Sequence, residues 1–322
     1  MLIKLRKTIR LSLLLLLVLN LSSCKNIEEM AVEIHSSAFT IDTHVDTPYH
    51  LLDNDYNISE YHKFEPGSSC VDFPRMKEGG LDAIFFAAYT PQRERTEENT
   101  LIAREKADEL IDSIYSAFKK YKDMAEVAHN VSDGYRLEKE GKRAIYIGLE
   151  NGFPIGKEIS EVQRYYNKGV RYITLCHTSN NDICDSSTDR QGSEYNGLSE
   201  FGEEVVKEMN RLGIIIDVSH ISDSAFYDVL NLSATPVIAS HSCARAICDN
   251  PRNLSDEMLK ALAKNGGVIQ MCILDDYVKA PNKNSEHYKK EMELRERYRK
   301  AGRQNNQGRG TENLGRVETV AN

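Results

Sequence analysis

Ala144-Ile145-Tyr146-Ile147-Gly148-Leu149-Glu150-Asn151-Gly152 is the stretch on which the reading of the fold turns. It is an apolar run without alternation, too short for a helix, and it stops on a carboxylate flanked by glycines. A strand covered on both faces by helices reads this way, whereas a strand with one wet face alternates. Six further runs share the pattern: Phe39–Thr43, Ala83–Tyr89, Tyr172–Cys176, Ile214–Val218, Val237–Ser240 and Val268–Ile273. Helical periodicities lie between them. Leu101–Tyr121 sets Leu101, Ala103, Ala107, Leu110, Ile111, Ile114 and Phe118 on one face; Phe201–Leu212 and Ala225–Leu232 are shorter, and Gly213 is a stop signal. Alternating strands and helices predict an α/β fold with a parallel sheet, either doubly wound or closed as a TIM-type (β/α)8 barrel. The first strand is followed by no Gly-x-Gly-x-x-Gly, which disfavours a dinucleotide-binding domain. Seven strands are counted where a closed barrel wants eight, so the barrel is expected to lack its eighth strand–helix unit.

Composition narrows the function. With 40% hydrophobic and 28% charged residues over 322 positions, the chain can bury a core. A net charge of −8 argues against a nucleic-acid binder built on a basic surface. The seven cysteines include no Cys-x-x-Cys pair, which excludes a zinc ribbon. Lys4, Arg6, Lys7 and Arg10 precede an apolar run, Leu11 to Leu19, and then Leu21-Ser22-Ser23-Cys24. This is the layout of a secretory signal, and the cysteine after the small pair resembles a bacterial lipobox. The expected organisation is a signal peptide over 1–24 with lipidation at Cys24, a barrel over 25–280, and a charged, disordered tail over 281–322. The chain is then exported and lipid-anchored to a bacterial membrane.

Reactive side chains in such folds project from the C-terminal ends of strands. Those positions hold His44 and Asp46, Glu150, His177, His220 and His241. Four of the nine histidines follow strands immediately, and carboxylates follow two of those strand runs. Imidazole with carboxylate is the ligand set that suits Zn²⁺ best, Mn²⁺ or Fe²⁺ less well, and Mg²⁺ poorly. Five ligands serve two metals if one carboxylate bridges, and such pairs activate water and polarise a carbonyl or phosphoryl oxygen. The residues by themselves therefore point to a metal-dependent hydrolase.

Ile41-Asp42-Thr43-His44-Val45-Asp46, Gly148-Leu149-Glu150-Asn151-Gly152, Arg171-Tyr172-Ile173-Thr174-Leu175-Cys176-His177-Thr178, Ile216-Asp217-Val218-Ser219-His220, Ser240-His241-Ser242 and Asn250-Pro251-Arg252-Asn253 occur in that order. In this the chain, from about residue 34 to 280, resembles the membrane (renal) dipeptidase family of zinc metallopeptidases. The resemblance implies that His44 and Asp46 bind one zinc and His220 and His241 another, with Glu150 bridging. It implies that His177 contacts substrate near the scissile carbonyl and that Arg252 holds the substrate carboxylate, a task that suits a guanidinium. It further implies dipeptide hydrolysis by a metal-bridged hydroxide, with Glu150 and His177 catalytic, often with tolerance for a C-terminal D-residue, and a homodimer.

One departure stands out. The family's eighth strand ends in a Gly-x-Asp-Phe-Asp-Gly-like motif whose first aspartate shuttles the proton, and no such motif follows Ile273. Loss of a positioned acid/base costs roughly 10²–10⁴ in rate. A truncated or frameshifted reading frame is the simplest expectation, against a shortened variant or a partner chain that supplies the piece. The alternatives in function are a silent metal- or dipeptide-binding lipoprotein and a metal-dependent hydrolase of a lactone, β-lactam or phosphoester. Asp182 and Asp185 are read as members of a solvated loop. Ser240 and Ser242 are read as hydrogen-bonding around a ligand histidine, since no Gly-x-Ser-x-Gly elbow is present.

Overall fold

A computed structural model describes residues 26–63 and 68–280, and within 282–297 positions 282, 284–286, 288–290, 292–293 and 296–297. The signal segment with Cys24 and the end of the charged tail lie outside the described residues. No helix among the described residues is long and apolar enough to cross a membrane.

The chain divides into two units, Met1–Thr40 and Ile41–Asn322. In the first, a helix over Ile27–Ser37 starts at a capping box: Asn26 accepts from the Glu29 amide while the Glu29 side chain accepts from the Asn26 amide. The second unit holds the sheet. Its strands are β1 (Ile41–Val45), β2 (Ala83–Tyr89), β3 (Ala125–Val127), β4 (Arg143–Glu150), β5 (Val170–Thr174), β6 (Ile215–Asp217), β7 (Ile238–Ser242) and β8 (Val268–Met271). They run in the order β1-β2-β4-β5-β6-β7-β8, and every pairing is parallel. β2 fills one edge of β4 along its length, while β3 takes the start of the other edge and β5 the remainder. Seven strands with helices around them make the expected TIM-type barrel, nearly closed, and among the described residues no strand stands between β8 and β1.

The helices begin where side chains satisfy their first amides. Thr96 caps the helix over Glu97–Lys120, four residues ahead of the apolar periodicity, and Ser199, Ser222 and Ser255 cap three more. Gly213 closes Glu200–Leu212 in the left-handed conformation that the stop signal requires. Apolar residues on Glu97–Lys120, among them Leu110, Ile111 and Ile114, pack in one cluster with Ile84 and Phe86 of β2 and Ile145 and Ile147 of β4.

Every expected strand but Ala83–Tyr89 shifts by one or two residues at an end, and two of the shifts matter here. β1 runs on to Val45, because Val45 still pairs with Phe86, and so carries His44 to the mouth of the barrel. β8 stops at Met271, and Ile273 is 88% exposed. β3 was not anticipated; three residues are too few to show a period.

Between β8 and β1 a side chain stands where a ladder would run. Gln270 Oε1 accepts from the Thr43 amide at 3.0 Å, and Gln270 Nε2 donates to the Ile41 carbonyl at 3.3 Å. The Thr43 hydroxyl donates to the Ser240 carbonyl at 2.7 Å. These bonds hold β1 to β7 and β8 across the gap.

Candidate metal centre

The strand-end residues converge at one point. Glu150, 3% exposed, closes β4 with its carboxylate turned toward four imidazoles. Its Oε2 lies 3.5 Å from His44 Nε2; its Oε1 lies 3.2 Å from His220 Nε2, 3.4 Å from His241 Nε2 and 3.8 Å from His177 Nε2. The His220 and His241 Nε2 atoms face each other at 2.8 Å. His44 packs on His241 at 3.9 Å between ring centroids, and His177 on His220 at 4.2 Å. Asp46 reaches His44 Nε2 at 3.6 Å, with half of its side chain open to solvent. Two groups are compact enough to hold a cation, His44–Glu150–His241 and Glu150–His177–His220, with Glu150 common to both.

Local backbone explains the convergence. His44 sits at the end of β1, and β4 carries Glu150 one pleat beyond Gly148. A Cβ on Gly148 would lie 2.1 Å from Tyr172 Cζ, so only glycine lets the Tyr172 ring cross β4. Tyr172 then hydrogen-bonds His44 Nδ1 at 2.9 Å through its hydroxyl. His220 adopts φ +72°, a left-handed conformation that is costly outside glycine and concentrates at functional positions.

Electrostatics favour uncharged, lone-pair-bearing rings at His177, His220 and His241 and a charged ring at His44. Burial pushes Glu150 up to about 8, with His44 opposing and Asp46 and Asp217 adding. Burial disfavours the charged form of His44, but Glu150, Asp46 and Asp217 outweigh it and raise His44 to about 9. His177 is held down at about 3 by burial and by the Arg252 charge. Burial and neighbouring cations hold His220 and His241 well below the ordinary imidazole value. Burial would raise Asp46, yet its bond to His44 prevails and lowers it.

Arg252, 5% exposed, donates from Nη2 to the His241 carbonyl at 3.0 Å and packs over the Tyr277 ring. Its Nε has no hydrogen-bond partner among the described residues, nor has His220 Nδ1. Asn250 and Asn253 donate to the Asp276 and Tyr277 carbonyls and so fix the loop that bears Tyr277.

The solvated-loop reading of Asp185 is wrong. Asp185 is 1% exposed and gathers Ser193 Oγ at 2.6 Å with the amides of Glu194, Tyr195 and Gly197. Burial would raise its pKa, and these bonds lower it. Asp182 pairs with Arg95 and Lys157, each at 3.7 Å. An open cleft of about 550 Å³ is lined by Asp185, Ser187, Asp223, Arg245 and Pro251 among others, and by none of the cluster residues. Sequence reading gave no role to Tyr172, Asp217 or Tyr277; the glycine opposite Tyr172 in the β4–β5 register is the one signal that pointed to the first.

The family model described as membrane dipeptidase (peptidase family M19) matches residues 28–304. Dipeptidase 3 of Rattus norvegicus is 34% identical over 253 residues, which are 77% of this chain and 50% of the relative. Dipeptidase tcpJ of Claviceps purpurea (strain 20.1) is 33% identical over 232 residues, 70% of this chain and 54% of the relative. The crystal structure of the probable dipeptidase PvdM from Pseudomonas aeruginosa superimposes with a TM-score of 0.71 at 30% identity, covering 79% of this chain and 64% of the other. The chain thus spans about half the length of these two sequence relatives.

Proposed function

The chain belongs to the membrane dipeptidase family, and from that premise we propose that it hydrolyses dipeptides with two zinc ions. The observation that carries the reading is the convergence of four imidazole Nε2 atoms on one buried carboxylate. Two imidazole nitrogens 2.8 Å apart must share a proton or face a cation, and no lysine or arginine lies within salt-bridge distance of Glu150 among the described residues. Carboxylate and neutral imidazole are borderline donors that fit zinc. In this reading His44 and Asp46 hold one ion, His220 and His241 the other, and Glu150 lies between. Bound there, zinc supplies Lewis acidity toward a carbonyl and lowers the pKa of water.

The rest falls to the chain's own side chains. His177 stays uncharged at neutral pH and offers an N–H to the scissile carbonyl oxygen, with its Nδ1 3.4 Å from the Tyr89 hydroxyl. Arg252 is buried with its Nε–H unspent, which suits a guanidinium waiting for a carboxylate. A second reading is that the chain binds metal and dipeptide without turnover. We further propose export and lipid anchoring at Cys24, domain limits at 24 and 280, and a homodimer.

The test is hydrolysis of an unblocked dipeptide beside its C-terminal amide. Cleavage of the first alone, with KM raised by Arg252→Ala and kcat little changed, supports the dipeptidase reading. Zinc and dipeptide bound without cleavage supports the second. Equal cleavage of acid and amide contradicts the role given to Arg252.

A further inference from the structure

Asp217 ends β6 fully buried, beside the histidine cluster but outside it. Its Oδ1 accepts the amides of Ser219 at 3.0 Å and Ser240 at 2.9 Å. Its Oδ2 accepts the hydroxyls of Thr174 at 2.5 Å and Ser240 at 2.7 Å. Ser240 Oγ also lies 2.8 Å from His241 Nδ1. The amide of His241 donates to Ser219 Oγ at 3.1 Å, which fixes the backbone on which the ring turns.

Donor counting then settles the protons. A carboxylate only accepts, and a serine hydroxyl has one hydrogen. With that hydrogen on Asp217, Ser240 Oγ can only accept from the imidazole, so His241 carries its proton on Nδ1. Its Nε2 lone pair is thereby turned toward Glu150 and His220. We infer that Asp217 is a positioning residue that, through Ser240, fixes His241 as the Nδ1–H tautomer and so presents Nε2 to a cation. The inference rests on the ligand role proposed for His241. Partners of this kind commonly change metal affinity by roughly 10–100-fold. His220 has no equivalent, since its Nδ1 lacks a partner among the described residues.

The experiment uses the full chain in two variants. In Asp217→Asn the amide oxygen can keep the two backbone N–H groups, which puts the NH₂ against Ser240 and Thr174. Ser240 then frees its hydrogen for His241 Nδ1 at 2.8 Å, a nearer acceptor than Ser219 Oγ at 3.4 Å, and drives the ring to the Nε2–H tautomer, with a proton aimed into the site. Ser240→Ala leaves every other bond of Asp217 in place and should leave His241 a mixture of tautomers, so it serves even if Asp217→Asn does not fold. The tautomer is read from long-range ¹H–¹⁵N spectra of ¹⁵N-histidine protein stripped of metal, with the signal assigned by His241→Gln. Zinc affinity is read by competition with a chromophoric chelator. The expected result is Nδ1–H in the parent, Nε2–H in Asp217→Asn, a mixture of the two in Ser240→Ala, and zinc affinity lower by about 10–100-fold in both variants. Nδ1–H retained in both variants, with zinc affinity within about twofold of the parent, overturns the inference and leaves the metal reading standing. A tautomer change in a protein that binds no zinc does the reverse: the positioning holds and the metal reading falls.

Discussion

The strands from β2 to β5 and the pair β8 and β1 belong to one sheet, yet they are held in different ways. Every residue of β2 is buried, and β2 and β4 pair from Ala83 through Tyr89. At the other side Val268 is 53% and Met271 52% exposed, and one glutamine side chain spans the gap to β1. The packed side therefore rests on apolar burial, at about 25 cal/mol per Å², and the seam on a few hydrogen bonds worth about 1 kcal/mol each. Glu150 grows from the packed side, His241 from next to the seam, and the cluster joins them.

The largest expected contrast comes from truncation. Phe86→Ala should lower the unfolding free energy by about 3–5 kcal/mol, whereas Met271→Ala should cost less than about 1 kcal/mol. Urea denaturation of the two side by side checks it; equal losses would abolish the distinction between the regions. Next is the buried carboxyl of the loop that follows β5. Asp185→Asn should cost about 2 kcal/mol, because several donors lose an ionised acceptor. The pH dependence has a definite sign. A carboxyl held below its unfolded pKa of about 3.9 stabilises fully above that pH, and the contribution disappears as pH falls through the lower folded value. Stability of the parent should therefore drop more steeply in acid than that of Asp185→Asn, and parallel acid limbs in thermal melts would contradict the assignment. The smallest effect is expected at the seam. Gln270→Ala should cost about 1 kcal/mol and speed hydrogen exchange of the Thr43 amide while leaving Ile84 and Ile145 protected. Exchange that rises evenly over the sheet would mean that the seam and the packed side open together.

The packed side was also the legible side. Ala83–Tyr89 carries enough Ile and Phe in one run to read as a buried strand, and it is β2 residue for residue. The six strand-end side chains were visible because parallel sheets send reactive groups to one end, and all six lie together here. What escaped depends on register and on loops. Tyr172 meets His44 only because Gly148 stands opposite it, and Asp217 meets Ser240 only because β6 and β7 pair at Asp217 and Ile238. Neither spacing is written in one segment. Asp185 looked solvated because a loop folding back on a carboxylate leaves no local period.

The central claim is that His44, Asp46, Glu150, His220 and His241 form a two-cation centre, and zinc stoichiometry of the purified full chain tests it most directly. The account predicts near two zinc per chain by elemental analysis, falling to one or none in Glu150→Ala with the fold retained by circular dichroism. A folded parent that binds no zinc, or a Glu150→Ala variant that still binds two, would contradict it.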